Sequence, residues 1–269
     1  MKEKLKIHLS FFYVLRIVGI SKEVLRHFYG ILINDDLRAK FCICRFNNFK
    51  IKSYKNNSNL IKNTISHNLT AFEHFYNDFK MQRSKRLIFS ILADESINFN
   101  SKFLIIGPRT ENEIIFLKVL GYHNVEAIDL ISYSDLVTCG DMHSIPFPDK
   151  SFDAVVCGWT LSYSAKPSLA LKEMFRKCKP GGVIGIGIEH ADKKTKISTR
   201  QLKDPRLINQ KPSSRKVNTI KDILRLVPKN NVKTINYRYD SELKCHSPSD
   251  LFEKTGLHSS QVMITLKKR

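Results

Sequence analysis

Hydrophobic and polar positions follow two regimes along this chain. Through the first 65 residues no period stands out beyond short helical stretches around 5–20 and 22–33, and Asn56-Asn57-Ser58-Asn59 forms a polar break that reads as a linker. From 66 to about 92 the apolar residues Leu69, Phe72, Phe75, Tyr76 and Phe79 recur at spacings of three and four. That spacing predicts an amphipathic helix, whose expected role is to cover an edge or face of the domain that follows. From Ser101 onward short apolar runs alternate with helical stretches, the signature of a parallel sheet with crossover helices. Strands are predicted at 103–106, 125–130, 152–157, 183–188, 232–239 and 262–266, with helices at 111–120, 169–178 and 220–227. Lys179-Pro180-Gly181-Gly182 reads as a turn before the fourth of these strands. The pattern divides the chain into a basic, mostly helical extension over 1–65 and an α/β domain over 66–269.

Charge changes this picture more than composition does. The net charge is +20, distributed as +9 over residues 1–100, −1 over 101–190 and +12 over 191–269. A neutral centre between basic flanks fits phosphates of nucleic acid, lipid headgroups or a phosphorylated small substrate, and equally fits a solvated lysine-rich surface. No block of Lys and Arg is interleaved with aromatics as in a single-strand nucleic-acid groove. The six cysteines are scattered, and Cys42 and Cys44 are too close for the usual structural zinc pair, so a reducing, cytoplasmic compartment and no metal site are expected. No apolar run approaches the ~18–20 residues that span a bilayer. The apolar stretch 9–20, broken by Arg16, reads as a helix packed on the domain, with membrane-surface contact as the alternative.

Three segments fall beyond the carboxyl ends of predicted strands, where open parallel sheets bind ligands. Ile105-Ile106-Gly107-Pro108-Arg109-Thr110 joins a strand to a helix, and backbone amides there can face an anionic group. Asp129 ends the next strand, 22 residues after Gly107, where a carboxylate can accept both hydroxyl protons of a ribose. In Gly140-Asp141-Met142-His143, Asp141 can accept from an exocyclic adenine amine while Met142 supplies an apolar face. Taken singly, Gly107 reads equally as a tight turn, Asp129 as a loop cap and Asp141 as an ordinary turn residue. Their order along one repeating βα pattern favours a nucleotide-type site.

The stretch Gly140-Asp141-Met142-His143-Ser144-Ile145-Pro146-Phe147-Pro148-Asp149-Lys150-Ser151-Phe152-Asp153-Ala154-Val155-Val156 resembles the segment that marks type 11 class I S-adenosylmethionine-dependent methyltransferases. Lys179-Pro180-Gly181-Gly182 with its apolar strand resembles the same family's pre-strand turn. The resemblance covers about 101–190 well and the remainder by element order alone. It implies a Rossmann-like seven-stranded methyltransferase sheet with the last strand antiparallel, preceded here by an N-terminal helical extension. It also implies S-adenosyl-L-methionine as cofactor, with Asp129 on the ribose, Asp141 and Met142 on the adenine, and Trp159 near the methyl donor. The chain departs from the family in its first loop, which is usually acidic and carries two or three glycines at alternate positions. Here Gly107 stands alone, followed by Pro108, Arg109, Thr110 and Glu111. Pro108 donates no amide and Arg109 adds charge, so Arg109 is expected to pair the cofactor carboxylate.

Methyl transfer from a sulfonium is an in-line displacement, and a protein general base is needed only where the acceptor must lose a proton. His190 and His143 are the imidazoles near the expected mouth, each with solvation as its ordinary fate. The expected acceptor is a small molecule or glycan, anionic if the basic insertion at 191–215 covers it. An RNA acceptor, suggested by the basic flanks, and a non-catalytic cofactor-binding or interaction protein, suggested by the altered loop, stand as alternatives.

Overall fold

A computed structural model describes residues 30, 32–48, 50–55, 61–62, 64–66, 68–69, 84–164, 166–190, 217, 219–240 and 260–269. The expected helix at 5–20, nearly all of that at 22–33, the polar break, Phe72, Phe75, Tyr76 and Phe79, and the basic insertion lie outside the described residues. In chain order come helix α1 (Asp35–Asn48), strand β1 (Lys52–Ser53), helix α2 (Ser84–Leu92), β2 (Phe103–Ile106), α3 (Asn112–Val119), β3 (Val125–Asp129), β4 (Ile131–Ser132), β5 (Thr138–Cys139), β6 (Phe152–Gly158), α4 (Pro167–Lys177), β7 (Cys178–His190), α5 (Ile220–Leu226), β8 (Val232–Asp240) and β9 (Ser260–Lys268).

Seven strands form one sheet in the order β5-β3-β2-β6-β7-β9-β8. The first five are parallel neighbours, and β9 runs antiparallel between β7 and β8. This is the expected seven-stranded Rossmann-like arrangement with its last strand reversed.

The apolar runs are buried on both faces because helices cover both. Leu104 and Ile106 of β2 join a core with Ala170, Leu171 and Met174 of α4 and Ile220 and Ile223 of α5. Phe103 and Ile105, pointing the other way, join a second core with Leu87, Ile88 and Ile91 of α2 and Ile114 and Leu117 of α3. Each such side chain contributes about 1.5–3 kcal/mol on burial, so the alternation along β2 alone anchors both layers. Pro167 starts α4 where its missing amide costs nothing, and a reciprocal Thr219–Asp222 capping box starts α5.

Two local expectations are corrected. Lys179-Pro180-Gly181-Gly182 is not a turn ahead of a strand but an irregular stretch within β7, which already begins at Cys178. Cys178 sits opposite Phe152 and Val183 opposite Ala154, so the surplus residues loop out, with Gly181 at φ 75°. The strand expected at 125–130 ends at Asp129 and is followed by β4, which pairs antiparallel with β1 of the extension. The extension also contributes α1, whose Ala39 and Cys42 pack with Ile115 of α3 and with Ile131 and Tyr133. No helix among the described residues is long and apolar enough to cross a membrane.

Candidate cofactor-binding site

Because β2, β3, β5, β6 and β7 run parallel, their carboxyl ends converge on one edge, and the segments singled out from the sequence meet there. Gly107 leaves β2 at φ 67° and donates its amide to Ile128 O at 2.8 Å. A Cβ at Gly107 would collide with the Thr160 side chain, whose hydroxyl donates to Gly107 O at 3.0 Å. Two residues on, Arg109 adopts φ 58°, a left-handed conformation that normally favours glycine. The loop therefore keeps the left-handed turns that alternate glycines would make, with an arginine in the second of them.

Asp129 ends β3 facing that loop. Its Oδ2 accepts the Arg109 amide at 2.8 Å and its Oδ1 the Ile131 amide at 3.3 Å. The residue is 6% exposed, and burial pushes its carboxyl above the ordinary range while those amides offset part of the effect. A carboxylate oxygen accepts more than one hydrogen bond, so both oxygens retain acceptor capacity.

Beyond β5, Gly140 brings the chain to Asp141. Asp141 Oδ1 accepts the His143 backbone amide at 3.0 Å and lies 2.6 Å from His143 Nδ1. The opposite nitrogen, Nε2, lies 2.7 Å from the Ser164 hydroxyl. Burial alone would raise the Asp141 carboxyl, but the His143 hydrogen bonds outweigh it and hold it below the usual range. In the tautomer that carries its proton on Nδ1 toward the carboxylate, Nε2 is the acceptor for the Ser164 hydroxyl. His143 engages only Oδ1 of Asp141, and among the described residues no hydrogen bond to Oδ2 is formed. Met142 is half-buried against the core that includes Leu104 and Ile106 of β2.

Trp159, just past β6, has φ 62°, and its amide donates to Gly187 O at 2.7 Å. Its ring packs where a Gly187 Cβ would stand and joins the core on the α2 side. His190 ends β7, paired with Ser260, and so reaches the same carboxyl edge; its side chain lies outside the described residues.

Sequence reasoning missed five residues around this edge. Thr160 and Ser164 follow β6 with no local signal. Glu111, two residues after Arg109, is fully buried; its Oε2 accepts from Arg45 Nε of α1 at 2.7 Å, and its amide donates to the Tyr133 hydroxyl at 3.1 Å. Beside it the buried Arg38 donates to the Asn112 side chain, to Leu32 O and to Ile33 O. The signal for Glu111 was its place, two residues beyond Arg109 in the alternating series; Arg45, 66 residues away, gave none.

Comparisons with known proteins agree with this architecture. The family described as a methyltransferase domain matches residues 119–186. A demethylmenaquinone methyltransferase of Symbiobacterium thermophilum is 42% identical over 52 residues, 19% of this chain and 21% of that protein. The demethylmenaquinone methyltransferase of Geobacillus stearothermophilus is 33% identical over 87 residues, 32% of this chain and 30% of that one. The matched segments thus span under a third of either relative. A crystal structure of geranyl diphosphate C-methyltransferase from Streptomyces coelicolor superimposes with a TM-score of 0.52 over 75% of this chain and 82% of that one at 11% identity, a likeness of fold. Residues 119–186 match the methyltransferase-domain family, and the seven-stranded sheet that carries them has a Rossmann-like fold shared with a solved methyltransferase.

Proposed function

We propose that the chain is an S-adenosylmethionine-dependent methyltransferase acting on a small-molecule or glycan-type acceptor. The observation that carries the reading is the pair of carboxylates, Asp129 and Asp141, on the carboxyl edge of adjacent strands, each with acceptor capacity left after its internal bonds. The residues fit the cofactor: Asp129 would take the ribose hydroxyls, Asp141 Oδ2 the adenine amine, and Met142 the adenine face. Gly107, which tolerates no side chain, keeps the loop against Thr160. Arg109 would pair the carboxylate of the amino-acid end, and Trp159 closes the wall beyond β6. When bound, the cofactor supplies a methyl group on a sulfonium, already activated as an electrophile.

The chain's own contribution is placement and, for an O–H or N–H acceptor, proton removal. Asp141 fixes the His143 tautomer so that Nε2 takes a proton through the Ser164 hydroxyl, and the carboxylate stabilises the imidazolium that forms. His190, at the end of β7, is the second candidate for that role. The positive bias of the sequence over 191–215, which follows β7, supports an anionic acceptor such as a phosphorylated or nucleotide-linked sugar.

The test is release of S-adenosylhomocysteine from S-adenosylmethionine over a panel of phosphorylated, neutral and RNA acceptors. Turnover with phosphorylated small molecules is expected, with replacement of Lys193, Lys194 and Lys196 by Gln raising the acceptor KM at low salt and leaving cofactor affinity unchanged. Turnover on RNA alone would transfer the reading to an RNA methyltransferase. Cofactor binding without turnover on any acceptor would make the chain a non-catalytic member of the fold.

A further inference from the structure

Glu111 is a buried carboxylate with half of its capacity unused. Its side chain is 0% exposed, Oε2 accepts from Arg45 Nε, and Oε1 has no hydrogen-bond partner among the described residues. A buried ionised oxygen without a donor is costly, and structures retain few of them. The neighbouring described groups do not supply that donor. The Tyr133 hydroxyl accepts from the Glu111 amide and burial keeps the Cys42 thiol protonated, yet neither donates its proton to Oε1. Arg45 approaches through Nε on Oε2 rather than by a two-pronged grip that would cover both oxygens.

We propose that Glu111 Oε1 receives the α-ammonium group at the amino-acid end of the cofactor, a reading that rests on the proposed function above. An ammonium offers three donors and a positive charge, which an orphaned carboxylate oxygen in a dry setting requires. The placement agrees. Glu111 stands two residues from Arg109, whose amide donates to Asp129, so the loop that meets the Asp129 carboxylate at one end carries the orphaned oxygen at the other. The zwitterionic end of the cofactor presents one carboxylate and one ammonium. Arg109 and Glu111, at alternate positions of one loop, present the two complementary charges. Arg45 of α1 acts as a positioning residue, holding Oε2 so that Oε1 keeps its direction, and makes the N-terminal extension part of the cofactor site.

The experiment is titration calorimetry of the full chain with two probes, S-adenosylhomocysteine and its analogue lacking the α-amino group. The wild type is expected to prefer S-adenosylhomocysteine by about tenfold or more, the scale of one hydrogen bond between charged groups. Glu111→Gln, with its fold checked by thermal melting, is expected to bind both probes within about threefold of each other. If that variant does not fold, Glu111→Asp, which keeps the charge and draws it back by one methylene, is expected to lose a large part of the preference. An undiminished preference in either folded variant makes Glu111 a structural partner of Arg45 only, and equal binding of both probes by the wild type likewise overturns the proposal. Failure of the wild type to bind either probe would instead refute the proposed function itself.

Discussion

Replacing Asp129 by Asn separates its part in the fold from its part in the site. In the folded chain the carboxylate accepts two backbone amides, from Arg109 and from Ile131. Asn keeps one acceptor oxygen, so one of those amides loses its partner, at about 1–3 kcal/mol. Against that, Asp129 is buried with its carboxyl raised by desolvation, and the neutral amide avoids the cost of burying a charge. The two effects oppose, and a net stability change within about 2 kcal/mol is expected. Its pH dependence has a defined sign. A carboxyl raised on folding contributes stability at low pH that is lost as pH rises through its folded value, and Asn has no such titration. Asp129→Asn should therefore gain on the wild type as pH rises above the ordinary carboxyl range, about pH 4. Binding has no such offset. In the proposed site two ribose hydroxyls would donate to the Asp129 carboxylate, and in the variant to at most one neutral oxygen, a loss of about 2–3 kcal/mol, or roughly 30- to 150-fold in Kd for S-adenosylhomocysteine. Urea denaturation and titration calorimetry on the same preparation read the two effects. A folded variant with unchanged affinity would remove Asp129 from the site.

Three further outcomes are expected. Gly107→Ala meets both a left-handed backbone and the Thr160 side chain, so destabilisation of about 2 kcal/mol or more is expected by chemical denaturation; a near-wild-type midpoint would show that the loop yields freely. His143→Gln keeps a hydrogen-bonding side chain beside Asp141 but removes the base, so kcat on a hydroxyl or amine acceptor should fall about 100-fold or more with cofactor affinity changed little, and full activity would exclude proton removal through His143. The Asp94 and Asp141 carboxyls are held low against the effect of burial, Asp94 chiefly by Lys267 and Ser96, and Asp141 by His143. Groups lowered on folding add stability above their unfolded values, so stability should fall as pH drops below about 4, and Asp94→Asn should flatten that fall.

How much of this was legible in the sequence follows from the range of the forces involved. The strands at 103–106 and 152–157 are central and buried on both faces, so they read as continuous apolar runs, and the parallel order follows from the helices between them. Asp129 and Asp141 stand out in the sequence because each follows the apolar run of a strand, at the edge where parallel sheets bind ligands. What the sequence hid is short or distant. The β1–β4 and β3–β5 pairings involve two residues per strand, below any periodic signal. The Lys179–Gly182 stretch has turn composition, yet neighbouring β6 holds it within β7. Arg109 stands in a conformation that residue type argues against, and tertiary contacts override that preference. The contacts of Arg45 with Glu111, and of His143 with Ser164, join segments far apart in the chain and have no one-dimensional trace.

The most direct measurement of the central claim is calorimetric titration of the full chain with S-adenosylhomocysteine at neutral pH, with Asp129→Ala and Asp141→Ala run beside it. One site per chain is expected, with affinity reduced about tenfold or more in each variant while thermal melting shows both folded. No heat of binding by the folded wild type at millimolar ligand, or equal affinity in all three proteins, would contradict a cofactor site at the carboxyl edge of β3 and β5.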